Sequence, residues 1–163
     1  MLNEYHFVTH WRVRGTLIEI LEILSNAEDL TRWWPSVYLD VKKHDDGTIE
    51  LFTKGWLPYT LRWSFRVTEE RSDGFALDAF GDFTGHGDWH LEQDGDHTNI
   101  TYDWRIKAEK PLLRILSPIM KPIFGANHRW AMARGEESLQ IELDRRHGIA
   151  ERVPPQPTFW KKE

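Results

Sequence analysis

The chain contains no cysteine, which excludes disulfides, thiolate catalysis and zinc–thiolate sites. It also lacks any apolar run approaching the roughly 20 residues of a membrane-spanning helix. Its start, Met1 to Phe7, has neither the basic opening nor the apolar core of a signal peptide, so the expected location is cytoplasmic, without stable membrane insertion. Positive charge is not in excess: 21 Lys and Arg stand against 26 Asp and Glu, for a formal charge of −5. A nucleic-acid partner is not expected on that balance, because phosphate binding needs a positive surface. No Ser–His–Asp order, phosphate loop or nucleotide fingerprint is present. No metal and no cofactor are expected.

What the chain has in abundance is aromatic area. Phe, Trp and Tyr make up 13% of 163 residues, with nine tryptophans. Such side chains suit a dense core or a cavity with apolar walls. The length fits one domain with one core.

The order of hydrophobic periods sets the architecture. Phe7, Thr9, Trp11 and Val13 alternate with His6, Val8, His10 and Arg12, as in a strand with one buried face. Thr16-x-x-Glu19 reads as a capping box before Leu17, Leu21 and Leu24, and Ser25-x-x-Glu28 repeats the signal for a second short helix that Pro35 stops. From Val37 to Lys107 the apolar period is two, broken by Asp45-Asp46-Gly47, Ser72-Asp73-Gly74, Gly81 and Asp94-Gly95-Asp96. No helical pattern interrupts this run, so an antiparallel meander is the expected sheet. Pro111, Pro118 and Pro122 then punctuate the chain. They predict a short helical piece near Leu112–Leu116 and a main helix from about Pro122 to Arg146. Phe124, His128, Ala131, Gly135 and Leu139 share one face of that helix. Gly135 costs about 1 kcal/mol of helix propensity, which makes sense if the helix passes something bulky or borders a cavity. Residues 1–146 are expected to form the domain. Residues 147–163, with Pro154, Pro155 and Pro157, are expected to form an extended tail that Phe159 and Trp160 could anchor.

The order strand, two short helices, six strands, long helix resembles the helix-grip fold of START lipid-transfer domains and polyketide cyclases, the SRPBCC superfamily. Several stretches resemble its bacterial polyketide cyclase/dehydrase branch: Lys54-Gly55-Trp56-Leu57-Pro58-Tyr59, Gly81 to Trp89, Tyr102-Asp103-Trp104, Asn127 to Met132 and Gly135 to Leu139. The resemblance implies an α+β domain: a seven-stranded antiparallel sheet wrapped around a long C-terminal helix, with two short helices after the first strand. It also implies a cavity under that helix, lined by the concave sheet face.

Strand parity puts Trp11, Trp63, Phe65, Phe75, Trp89, Tyr102 and Trp104 on the apolar face, and helix phase adds Phe124, Asn127, His128, Ala131 and Gly135 as candidate ligand contacts. The glycines at 85, 87 and 135 suggest space. The same aromatic residues would equally serve a filled core. His128 and Tyr102 are the candidate polar or catalytic groups. A histidine there can orient a carbonyl or act as a base, or simply bond a loop carbonyl and hold the helix to the sheet. Tyr102 can meet a ligand oxygen or a backbone partner. Trp56, Leu57 and Tyr59 form an apolar loop, read either as a cavity mouth or as packing against the proline-rich segment. Trp33-Trp34-Pro35 reads as structural. His86, Asp88 and His90 alternate on one strand face, but the two histidines are about 13 Å apart, too far for one metal. The expected partner is therefore a hydrophobic small molecule, aromatic, polycyclic or lipid-like, held by a carrier or sensor. The alternative is a cyclase or dehydratase using His128 or Tyr102 for proton transfer.

Overall fold

A computed structural model describes residues 3–159. Strand β1 (Glu4–Arg14) leads into helix α1 (Leu17–Ser25), a 3-10 turn (Ala27–Asp29) and the one-turn helix α2 (Leu30–Trp33). Six strands follow: β2 (Tyr38–Lys43), β3 (Ile49–Lys54), β4 (Thr60–Arg71), β5 (Gly74–Gly81), β6 (Phe83–Asp94) and β7 (His97–Ala108). Helix α3 (Pro111–Arg146) follows them. The sheet is seven-stranded and antiparallel in the order β1-β7-β6-β5-β4-β3-β2, so the first and last strands pair.

Period-two alternation explains the register. Trp89 lies opposite Tyr102, and their rings stack at 4.0 Å between centroids. Such an aromatic pair is worth about 1 kcal/mol beyond its buried area. Leu139 and Leu143 of α3 are buried against the concave face with Val13, Ile20 and Leu91. The carboxylate of Glu142, buried on α3, accepts hydrogen bonds from Arg32, Arg145 and Arg146 and so ties α2 to α3.

The helices differ in detail from the sequence reading. Thr16 caps α1 by accepting from the Glu19 N–H at 3.3 Å, but the Glu19 carboxylate bonds His147 instead of closing the capping box. Ser25 caps nothing. Its hydroxyl donates back to the Glu22 carbonyl, and the second helix shrinks to the 3-10 turn and α2. The expected break in the C-terminal helix is absent, since Pro118 and Pro122 lie inside a continuous α3. Each proline removes one backbone bond, but both rings sit on the exposed side of the helix. Tertiary anchors hold the helical course past them. Tyr5 Oη donates to Ser117 Oγ at 2.6 Å, Lys110 Nζ to the Thr60 carbonyl at 3.0 Å, and Lys121 Nζ to the Glu4 carbonyl.

Candidate functional site

The concave face is filled at one end and open at the other. At the filled end Trp11 packs on Trp34 and Trp89, with centroids 5.4 and 5.3 Å apart, and Phe75 adjoins Trp89. Trp11, Phe65, Phe75 and Trp89, candidate ligand contacts from strand parity, and Gly135, a candidate from helix phase, lie in or against this packed core and do not line the cavity. Gly135 provides close approach rather than space: a Cβ there would stand 2.3 Å from Trp34 and 2.7 Å from Trp11. Gly87 acts likewise, lying under the Tyr102 hydroxyl and the Trp104 ring.

At the open end a cavity of about 160 Å³ lies between the N-terminal half of α3 and the sheet. It brings together Trp63, Tyr102, Trp104, Phe124, Asn127, His128, Ala131 and Tyr59 from the sequence candidates. Trp63 and Trp104 are adjacent there, with centroids 5.7 Å apart. Trp63 Nε1 donates to Thr53 Oγ1 at 3.0 Å, so that ring is fixed and its polar atom satisfied.

His128 is different. Its ring stacks on Phe7 at 4.1 Å and 17°, and its Nε2 is buried with no hydrogen-bond partner among the described residues. Burial first, and the positive charge of Arg129 second, push its pKa down to about 4. The imidazole is therefore neutral at pH 7, and an unpaired buried polar atom of this kind costs about 1–3 kcal/mol. The loop-holding role considered for His128 belongs to Asn127, whose Oδ1 accepts from the Leu57 N–H at 3.0 Å. Burial raises the Tyr102 phenol well above its ordinary value, with Tyr38 adding to the effect. Tyr59 is pushed up to about 12, chiefly by burial and then by Tyr5, against a hydrogen bond with Asn127. Both phenols stay protonated at neutral pH and act as hydrogen-bonding hydroxyls, not bases.

No family model matches this chain, and no curated protein matches its sequence. Solved structures do. The Zhui aromatase/cyclase from Streptomyces sp. R1128 superposes with a TM-score of 0.70 at 15% identity, over 88% of this chain and 96% of that one. A START superfamily protein from Mycobacterium smegmatis gives 0.63 at 14% identity, over 86% and 97%. A conserved protein from Geobacillus kaustophilus gives 0.70 at 12%, over 86% and 96%. The fold is the helix grip that these structures share.

Within this helix grip, parity reasoning missed several wall residues. Tyr5, Phe7, Trp34, Tyr38 and Lys54 all line the cavity. Tyr5 and Phe7 carried the signal, since they share the parity of Trp11. Tyr38 did not, because the register shift between Tyr38 and Asp40 lets Val37 and Tyr38 both face inward. Lys54 ends its strand beside the equally buried Thr53 and is only 3% exposed. Burial lowers the pKa of its ammonium. Nζ donates to the Gly55 carbonyl at 2.9 Å, to Thr158 Oγ1 at 2.7 Å and to the Thr158 carbonyl. The tail thus returns to the domain, and Phe159 meets Trp56 edge-on at 6.0 Å. Trp160, the other expected anchor, lies outside the described residues. Trp56 is 49% exposed at the rim, Leu57 is half-buried on Asn127, and Tyr59 reaches the cavity wall against Phe124.

On the convex face, His86 pairs with Asp78, Asp88 with Arg71 and His90 with Asp73. Among the described residues no group of three His, Asp or Glu is placed to hold a metal ion. No helix among them is long and apolar enough to cross a membrane.

Proposed function

We propose that this protein binds a hydrophobic small molecule, aromatic or lipid-like, in the cavity under α3, as a cytoplasmic carrier or sensor. The observation that carries this reading is an aromatic-walled space of about 160 Å³, lined by a neutral His128 whose buried Nε2 has no hydrogen-bond partner among the described residues. An apolar cavity of roughly this size holds a benzene-sized guest, whereas drug-sized sites run from about 300 Å³ upwards. One ring fits as the cavity stands. A polycyclic guest needs the N-terminal half of α3 to shift, and that half has already lost two backbone bonds to Pro118 and Pro122.

The second reading is a cyclase or dehydratase, favoured by the neighbouring aromatase/cyclase and by the presence of two protonable groups. The electrostatics support binding over catalysis. An efficient general acid or base titrates near the working pH, while His128 is held near 4 and Tyr102 far above neutrality. Their shared capacity is to hydrogen-bond a ligand oxygen.

Native mass spectrometry of the purified protein, followed by solvent extraction, tests for a stoichiometric aromatic or lipid guest. Titration with 1-naphthol, followed by tryptophan fluorescence, tests the site. His128→Ala and Tyr102→Phe should each weaken binding about 3- to 10-fold, the loss of one hydrogen bond. Turnover of a poly-β-ketone substrate that falls about 100-fold in either variant, with binding retained, would establish the enzyme instead. Failure to bind any guest, with both variants indistinguishable from the parent, would remove the cavity reading.

A further inference from the structure

The outward face of the N-terminal half of α3 has the wrong polarity for water. Leu112, Ile115, Ile119 and Ile123 follow one another at spacings of three and four, which places them on one stripe. They are 61%, 74%, 81% and 44% exposed. Ala126 and the half-buried Trp130 continue the stripe in phase. A helix on a protein surface normally turns its charged side outward. Here the inward side is apolar, with Leu113 and Phe124 on the cavity, and the outward side is apolar as well.

The charge of this stretch is equally one-sided. From Lys110 to Arg134 the chain carries Lys110, Arg114, Lys121, Arg129 and Arg134 and no carboxylate, in a protein whose formal charge is −5. By helix phase Arg114, Lys121 and Arg129 project from the other sides of α3 and are set back from the stripe. An apolar stripe with cations behind it, and a tryptophan at one end, is the arrangement of a helix lying in a lipid headgroup region. The alternative of a second copy is disfavoured by the same charges. A two-fold contact through the stripe would bring the two cationic segments together, whereas an anionic bilayer offers the opposite sign.

We propose that this stripe docks the protein on an anionic phospholipid surface, with the N-terminal half of α3 lying in the headgroup plane. The docking surface is distinct from the cavity and stands whether or not the cavity reading holds. If both hold, the cavity faces the membrane across a single helix, a short exchange route for an apolar guest.

Vesicle flotation tests the proposal with the full chain, using phosphatidylcholine vesicles with and without about a third phosphatidylglycerol. The parent should float with the anionic vesicles about tenfold more than with the neutral ones, and high salt should weaken this. Ile115→Gln combined with Ile119→Gln alters two side chains already in water. It should cut flotation about tenfold while melting temperature and 1-naphthol binding stay unchanged. No flotation with anionic vesicles, equal flotation with neutral ones, or full flotation of the double variant would each overturn the proposal. So would a dimer in sedimentation velocity, without lipid, that the double variant abolishes, because a second copy would then own the stripe.

Discussion

The imidazole of His128 is set by its neighbours. Flat against Phe7, with Nε2 buried and unpartnered, it resists a proton down to about pH 4, while the same side chain in an unfolded chain titrates near 6.5. Between those values the unfolded state binds more protons than the folded one, so stability falls as pH falls. The contribution is fully present above about pH 6.5 and is lost toward pH 4, to a limit of roughly 3 kcal/mol. Glu142 also loses stability in acid, because three arginines hold its pKa low, but its loss begins only below the ordinary carboxylate range. The windows separate the two. His128→Phe keeps a flat ring on Phe7 and removes the titration. Thermal melts of this variant should change little between pH 7 and 5, where the parent loses several degrees. Parallel curves for the two proteins over that range would mean that His128 is not buried as described.

At the level of elements, α3 carries two glycines whose surroundings predict opposite outcomes. A Cβ on Gly135 would meet the buried Trp34 and Trp11 rings at 2.3 and 2.7 Å, whereas one on Gly125 meets Arg129 at 3.4 Å and Phe7 at 3.8 Å. Both alanine variants gain helix propensity of about 1 kcal/mol, but overpacking costs about 1–3 kcal/mol. Gly135→Ala should therefore lower the melting temperature by several degrees, and Gly125→Ala should raise it slightly. A rise in both would disprove the tight tryptophan contact. These glycines also show where the sequence was legible. Period two revealed every strand of the sheet, because alternation is imposed by the buried concave face. It could not tell a glycine beside a void from one beside an indole, since both permit the same residue. The prolines misled for a related reason. Local propensity breaks a helix at Pro118 and Pro122, and tertiary contacts such as those of Tyr5, Lys110 and Lys121 keep it whole. Tyr38 stayed hidden behind a register shift, and Lys54 behind the end of a strand.

For the molecule as a whole, the tail is part of the cavity wall's support. Thr158 supplies two of the three acceptors of the Lys54 ammonium, and Lys54 is nearly fully buried. Truncation before Thr158 should leave that charge short of partners, and an under-bonded buried charge costs about 1–3 kcal/mol or more. The cost can be assigned by a double-mutant cycle. Lys54→Met should destabilise the full chain, where it removes satisfied hydrogen bonds. In the truncated chain it should stabilise, because it replaces an unsatisfied ammonium with an apolar side chain of similar length in the wall of a largely aromatic cavity. A change of sign in the melting-temperature shift is thus the expected result. If Lys54→Met lowers the melting temperature equally in both backgrounds, the tail does not hold Lys54 and the two ends of the chain are energetically independent.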